Sequence, residues 1–121
     1  MIIIDLYSGF ETDRELIFTE RISNQVTFKV KLWYGYFDSL MRQIPMTSNM
    51  HPDSVAYNWQ TIEGFYDYEL WECKRIQEFY NQLLSINSLP NEPGLSDALD
   101  ALKQICNSTL QHGNRLFLEY L

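Results

Sequence analysis

The run Val26-Thr27-Phe28-Lys29-Val30-Lys31-Leu32 alternates apolar and polar residues without a break, and no other segment constrains the fold as tightly. A period of two puts Val26, Phe28, Val30 and Leu32 on one side of a strand and Thr27, Lys29 and Lys31 on the other, so the chain must build a sheet with one dry and one wet face. Leu16 to Ile22 suits a second strand, and Ser23-Asn24-Gln25 between the two reads as a hairpin turn. Ile2-Ile3-Ile4, followed by Asp5, Leu6 and Tyr7, is β-branched and apolar on both faces, which predicts a strand in the middle of the sheet, ended by Ser8-Gly9.

Beyond Gly35 the period lengthens. Tyr36, Phe37, Leu40, Met41 and Ile44 recur at helical spacing until Pro45 stops them, and residues 45–54, with two prolines and no periodicity, read as a loop. Val55, Tyr57, Trp59 and Thr61 alternate with Ala56, Asn58, Gln60 and Ile62, which predicts a fourth strand before Glu63-Gly64 turns the chain. A helix is expected from Asp67 to about Asn87, its early acids Asp67, Glu69 and Glu72 suiting the positive end of the helix dipole. On its wheel Cys73, Ile76, Phe79, Tyr80, Leu83 and Leu84 share one half, opposite Lys74, Glu78, Asn81, Gln82 and Ser85. After a connector holding Pro90, Pro93 and Gly94, Ser96 is expected to cap a second helix with the stripe Ala98, Leu99, Leu102, Ile105, Cys106 and Leu110, closing at His112-Gly113. Arg115 to Tyr120 supplies a last strand. The expectation is an α+β fold: an antiparallel or mixed sheet of four to five strands with two amphipathic helices packed on one face, in a single domain over residues 1–121.

A chain of 121 residues with 45% hydrophobic content buries enough surface to fold without a metal or disulfide. Its formal charge of -7 repels phosphate backbones and anionic lipid alike, so neither direct nucleic-acid binding nor membrane association is expected. The excess is uneven: residues 1–62 hold seven acids and five bases, residues 63–121 nine acids and four bases. Cys73 and Cys106 fall in apolar stripes and read as free buried thiols, the start carries no secretory pattern, and no apolar run reaches spanning length; a reducing cytoplasm fits these features.

Catalytic signals are sparse. His51 and His112 stand apart, no zinc-ligand spacing occurs, and no cofactor is expected. His112 reads as a group in the last helical turn interacting with free carbonyls. A small enzyme with a site assembled from the scattered residues Asp5, Tyr7, His51 and Glu63 is the alternative reading. Asp5-Leu6-Tyr7-Ser8-Gly9-Phe10 resembles the first motif of cytosine-type methyltransferases, whose cofactor fold needs βα repeats and glycines this chain does not supply.

The densest cluster joins aromatics to acids: Tyr57, Trp59, Phe65, Tyr66, Tyr68 and Trp71 interleaved with Glu63, Asp67, Glu69 and Glu72. Trp71 falls on the polar side of the expected helix with Glu78 and Gln82, and an indole there anchors either a covering loop or a partner. Tyr57, Trp59, Glu63, Tyr66, Asp67, Tyr68, Trp71, Glu72 and Glu78 are therefore the candidate partner-binding residues. In size, acidity and aromatic content the chain is similar to the small cytosolic immunity proteins with which bacteria neutralise their own nuclease toxins, including those of contact-dependent growth inhibition. That resemblance implies a basic protein partner, a toxin nuclease domain, whose positive cleft an acidic protein occludes. The third reading is an anti-defence or regulatory acidic mimic of nucleic acid.

Overall fold

The computed structural model describes residues 1–62 and 69–121. It shows an α+β fold with a mixed five-stranded sheet: β1 (Ile2–Leu6), β2 (Glu15–Ile22), β3 (Gln25–Trp33), β4 (Trp71–Cys73) and β5 (Arg115–Tyr120), in the spatial order β1-β3-β2-β5-β4. β1 runs parallel to β3, and the remaining neighbours are antiparallel. The described helices are α1 (Tyr34–Met41), α2 (Val55–Ile62), α3 (Ile76–Leu84) and α4 (Leu95–His112), four where two amphipathic ones are expected. None of them is long and apolar enough to cross a membrane.

The alternation in β3 sets the layers. Phe28, Val30 and Leu32 are buried on the face that α1 and α4 cover, while Lys29 and Lys31 stand half-exposed on the opposite face. Cross-strand register extends this division over the whole sheet. Trp71, Leu118, Phe18, Val30 and Ile4 form one row on the covered face, and Cys73, Leu116, Glu20, Phe28 and Ile2 form the next. Phe37, Phe79, Leu83, Leu102 and Ile105 close the core over them, each fully buried. On the open face Lys31 and Glu15, and Arg21 and Glu119, pair at 3.8 Å. Both pairs are only partly exposed and, at that distance, lack a direct hydrogen bond, so each adds little stability.

The hairpin between β2 and β3 turns through Ser23 and Asn24, with Ser23 in the left-handed region at φ 54°. A bulge at Glu20/Arg21 accompanies it, bending the strand where Glu20 enters the core.

Several expectations are corrected. β1 is an edge strand and not a central one, which leaves Ile2 and Ile3 exposed; β-branching suits any strand, and nothing in the run itself specifies a neighbour on both sides. Val55–Ile62 is a helix. Its alternation coincides with a second pattern, Val55, Ala56 and Trp59, that puts all three on one helical face, and these are the residues the core takes. The Ser54 hydroxyl accepts the Tyr57 N–H at 3.3 Å, so the first turn is capped. The expected helix from Asp67 to Asn87 is divided: its first residues lie outside the described ones, β4 follows, and α3 covers only Ile76–Leu84. α4 begins at Leu95, with Gly94 rather than Ser96 at its cap.

Gly94 and Gly113 both adopt positive φ, 86° and 64°. A Cβ on Gly113 meets open space, whereas one on Gly94 collides with the Tyr36 ring and hydroxyl. Gly113→Ala should therefore cost only the left-handed backbone penalty, roughly 1–2 kcal/mol. Gly94→Ala should cost clearly more because Tyr36 has to move. Urea denaturation of both variants checks the order.

Candidate functional site: clefts beside α3 and the edge strand

The 45–54 loop is built rather than slack. Ser54 is fully buried, its N–H bonds the His51 carbonyl at 2.9 Å, and the Asn58 amide donates to the Pro52 carbonyl at 2.6 Å. His51 Nδ1 accepts the Asp53 N–H at 3.0 Å, which fixes the ring's orientation within the turn. The loop thus stands as one wall, with α3 as the other, around a cleft of about 620 Å³.

On the α3 side, Arg75 donates through Nε and Nη2 to the same Glu78 oxygen, Oε2, at 3.0 and 2.8 Å. Glu78 Oε1 and Gln82 Oε1, one helical turn apart, are buried atoms with no hydrogen-bond donor among the described residues. A buried acceptor left without a donor costs about 1–3 kcal/mol, so each favours a visiting N–H. Both side chains line the cleft with His51, Thr47, Asn49 and Ser85.

A second hollow, about 440 Å³, continues past Asp53 to Glu69, Leu70, Trp71, Glu72, Lys74 and Phe117. Glu72 stands on the open face of the sheet, where Arg115 donates to it at 3.0 Å and holds its carboxyl below the usual carboxylate range. The two hollows carry four carboxylates, of which Arg75 and Arg115 each hold one.

The residues singled out in the sequence are only partly brought together. Glu72, Glu78 and Trp71 line these hollows, and His51 joins Glu78 in the larger one. Trp71 is not on an exposed helix face: in β4 it pairs with Leu118, half-buried against the core, because a strand points residues 71 and 73 to the same side. Trp59 is 4% exposed, packs edge-on against Phe37 and Tyr120, and donates its Nε1–H to Asp38 at 2.9 Å; it is core. Tyr57 is half-buried in α2. Glu63, Tyr66, Asp67 and Tyr68 lie outside the described residues.

Asp5 and His51 are not neighbours. Asp5 belongs to β1 at one edge of the sheet, and the His51 loop adjoins β4 at the other, four strand spacings or roughly 19 Å away. Asp5 serves its own turn: the Ser8 hydroxyl, at 2.5 Å, and the N–H groups of Tyr7 and Ser8 lower its carboxyl to about 2. Both cysteines are free and buried, as their apolar setting predicts, although Cys73 sits in β4 rather than a helix. Burial pushes the Cys73 thiol up to about 12 and raises that of Cys106 as well, so neither is a ready thiolate. No group of three or more His, Cys, Asp or Glu side chains gathers as a metal site among the described residues.

Sequence reasoning missed Gln82, Asp53 and Leu70. Gln82 falls on the polar side of the helical pattern, and only its buried oxygen distinguishes it. Leu70, 46% exposed, is the large apolar side chain that the second hollow presents, where Trp71 is half-buried against the core. Comparisons of the chain with family models, curated proteins and solved structures found no match.

Two outcomes follow from these placements. Trp71→Ala should lose roughly 2 kcal/mol or more of stability, as a core truncation does, while Leu70→Ala stays within about 0.5 kcal/mol. Because folding lowers the Asp5 carboxyl from 3.8 to about 2, its contribution is complete only about one pH unit above the unfolded value and is lost as pH falls through about 2. Asp5→Asn should flatten that part of the stability profile in acid denaturation, and an unchanged slope would show that the turn does not form as described.

Proposed function

We propose that this chain is a small protein-binding module of the bacterial cytoplasm, an immunity protein that binds and inhibits a basic toxin domain such as a nuclease. The observation that carries this reading is the pair of buried acceptors, Glu78 Oε1 and Gln82 Oε1, in a cleft of about 620 Å³, roomy enough to admit a long basic side chain. They match the ammonium or guanidinium of a partner's lysine or arginine, whose N–H groups supply what the cleft is missing. The adjoining hollow adds Asp53, Glu69 and exposed Leu70, a polar and apolar rim of the sort that surrounds an interface anchor. A net charge of -7 supports steering toward a basic surface and disfavours a nucleic-acid partner.

The test mixes the chain with basic toxin nuclease domains, beginning with any that a neighbouring gene encodes. Stopped-flow mixing should show an association rate that falls about ten-fold between low and high salt, since complementary fields act chiefly on encounter. No complex, or a salt-independent rate, overturns the reading.

Gln82→Leu separates binding from folding. Removing a buried acceptor that has no donor among the described residues should leave stability unchanged or higher, yet weaken the complex about five- to ten-fold. Equal affinity of Gln82→Leu and the parent chain would remove the cleft from the interface.

A further inference from the structure

At the opposite corner of the covered face, beneath the last turn of α4, Glu20 is a carboxylate withdrawn from water and held by neutral donors. Its side chain is 2% exposed. Oε1 accepts the Ser108 hydroxyl and Oε2 the Asn114 amide, each at 2.6 Å. A carboxylate offers about four acceptor positions, so two remain. Among the described residues His112 is the one ionisable cation in ion-pair range, with Nδ1 3.7 Å from Oε2. That nitrogen is committed elsewhere, because it lies 2.7 Å from the Ser108 carbonyl and donates to it, while the ring stands 64% exposed. A carboxylate withdrawn from water calls for a positive partner as well as neutral donors.

Glu20 also faces a space. A cavity of about 250 Å³ adjoins it, bounded on the apolar side by Ile2, Ile22 and Phe28 and on the polar side by Ser108, His112 and Asn114. Ile2 and Ile22 are 58% and 54% exposed, so its apolar rim is open to solvent. The bulge at Glu20/Arg21 places this carboxylate beside the rim, a position that bulges often serve next to binding sites.

We infer that this cavity binds a small organic ammonium ion, a primary alkyl- or arylalkylamine, with its nitrogen on Glu20 and its hydrocarbon against Ile22, Ile2 and Phe28. The volume lies just under the roughly 300–1,000 Å³ of pockets for drug-sized ligands, which selects a ligand on the scale of butylamine or phenylethylamine. The site is separate from the cleft beside α3 and does not depend on what that cleft binds.

Butylammonium is the probe, with butanol and butyrate as neutral and anionic controls of the same length, titrated into the full chain and followed by amide NMR shifts. Butylammonium should give saturable shifts centred on Ile22, Ser108, His112 and Asn114, butanol should bind at least ten-fold more weakly, and butyrate should not bind there. Glu20→Gln should weaken butylammonium at least ten-fold. Should that variant fail to fold, Ile22→Trp decides, because it fills the rim from its exposed side and should abolish the shifts at an unchanged melting temperature. Non-saturating shifts, shifts centred elsewhere, equal binding of butanol, or unaltered binding by Glu20→Gln or Ile22→Trp would each overturn the site.

Discussion

The insertion of β5 between β2 and β4 is the constraint on which the rest of the structure depends. Residues 115–120 pair with β2 along its length and give β4 its one strand partner among the described residues. A strand of three residues such as Trp71–Cys73 has too few hydrogen bonds to persist alone, so its place is set by β5. Leu116, Leu118 and Tyr120 meanwhile complete the covered face beside Leu16 and Phe18. Both hollows of the candidate site border on β4 or on the α3 that follows it. The candidate site therefore forms only after distant parts of the chain have paired, and that pairing carries its loop-closure cost before it is rewarded.

What was legible in the sequence was whatever a single period determines. The β2–β3 hairpin, the dry and wet faces of β3, α4 and β5 all follow from uninterrupted patterns with clear stops. Val55–Ile62 was not legible as a helix, because Val55, Ala56 and Trp59 satisfy a helical face while the same eight residues satisfy alternation; the core's demand for Trp59 decides, and Ser54 was the local signal available. Trp71-Glu72-Cys73 was hidden for the opposite reason. A helical stripe from Ile76 onward extends backward through Cys73, and no glycine or proline marks where strand gives way to helix. The same boundary decides where the candidate residues fall: Glu72 and Trp71 go to a strand and Glu78 to the helix, all three lining the hollows, while Trp59 is taken by the core.

The net charge changes meaning once partners are assigned. Glu72 and Glu78 do not project free charge, since Arg115 and Arg75 hold them, and Glu20 is withdrawn into the core. What distinguishes the cleft is the unmet acceptor capacity of Glu78 Oε1 and Gln82 Oε1, a local and directional property. In the proposed complex, long-range charge would bring a basic partner near and these two oxygens would determine where its side chain is held.

Hydrogen–deuterium exchange of the free chain and of its complex with the basic domain tests this division of labour most directly. The account predicts added protection in residues 45–54 and in α3, with β1, β3 and the α4 terminus unchanged. Protection confined to the open face of the sheet around Lys29 and Lys31, or to the Glu20 corner, would contradict it.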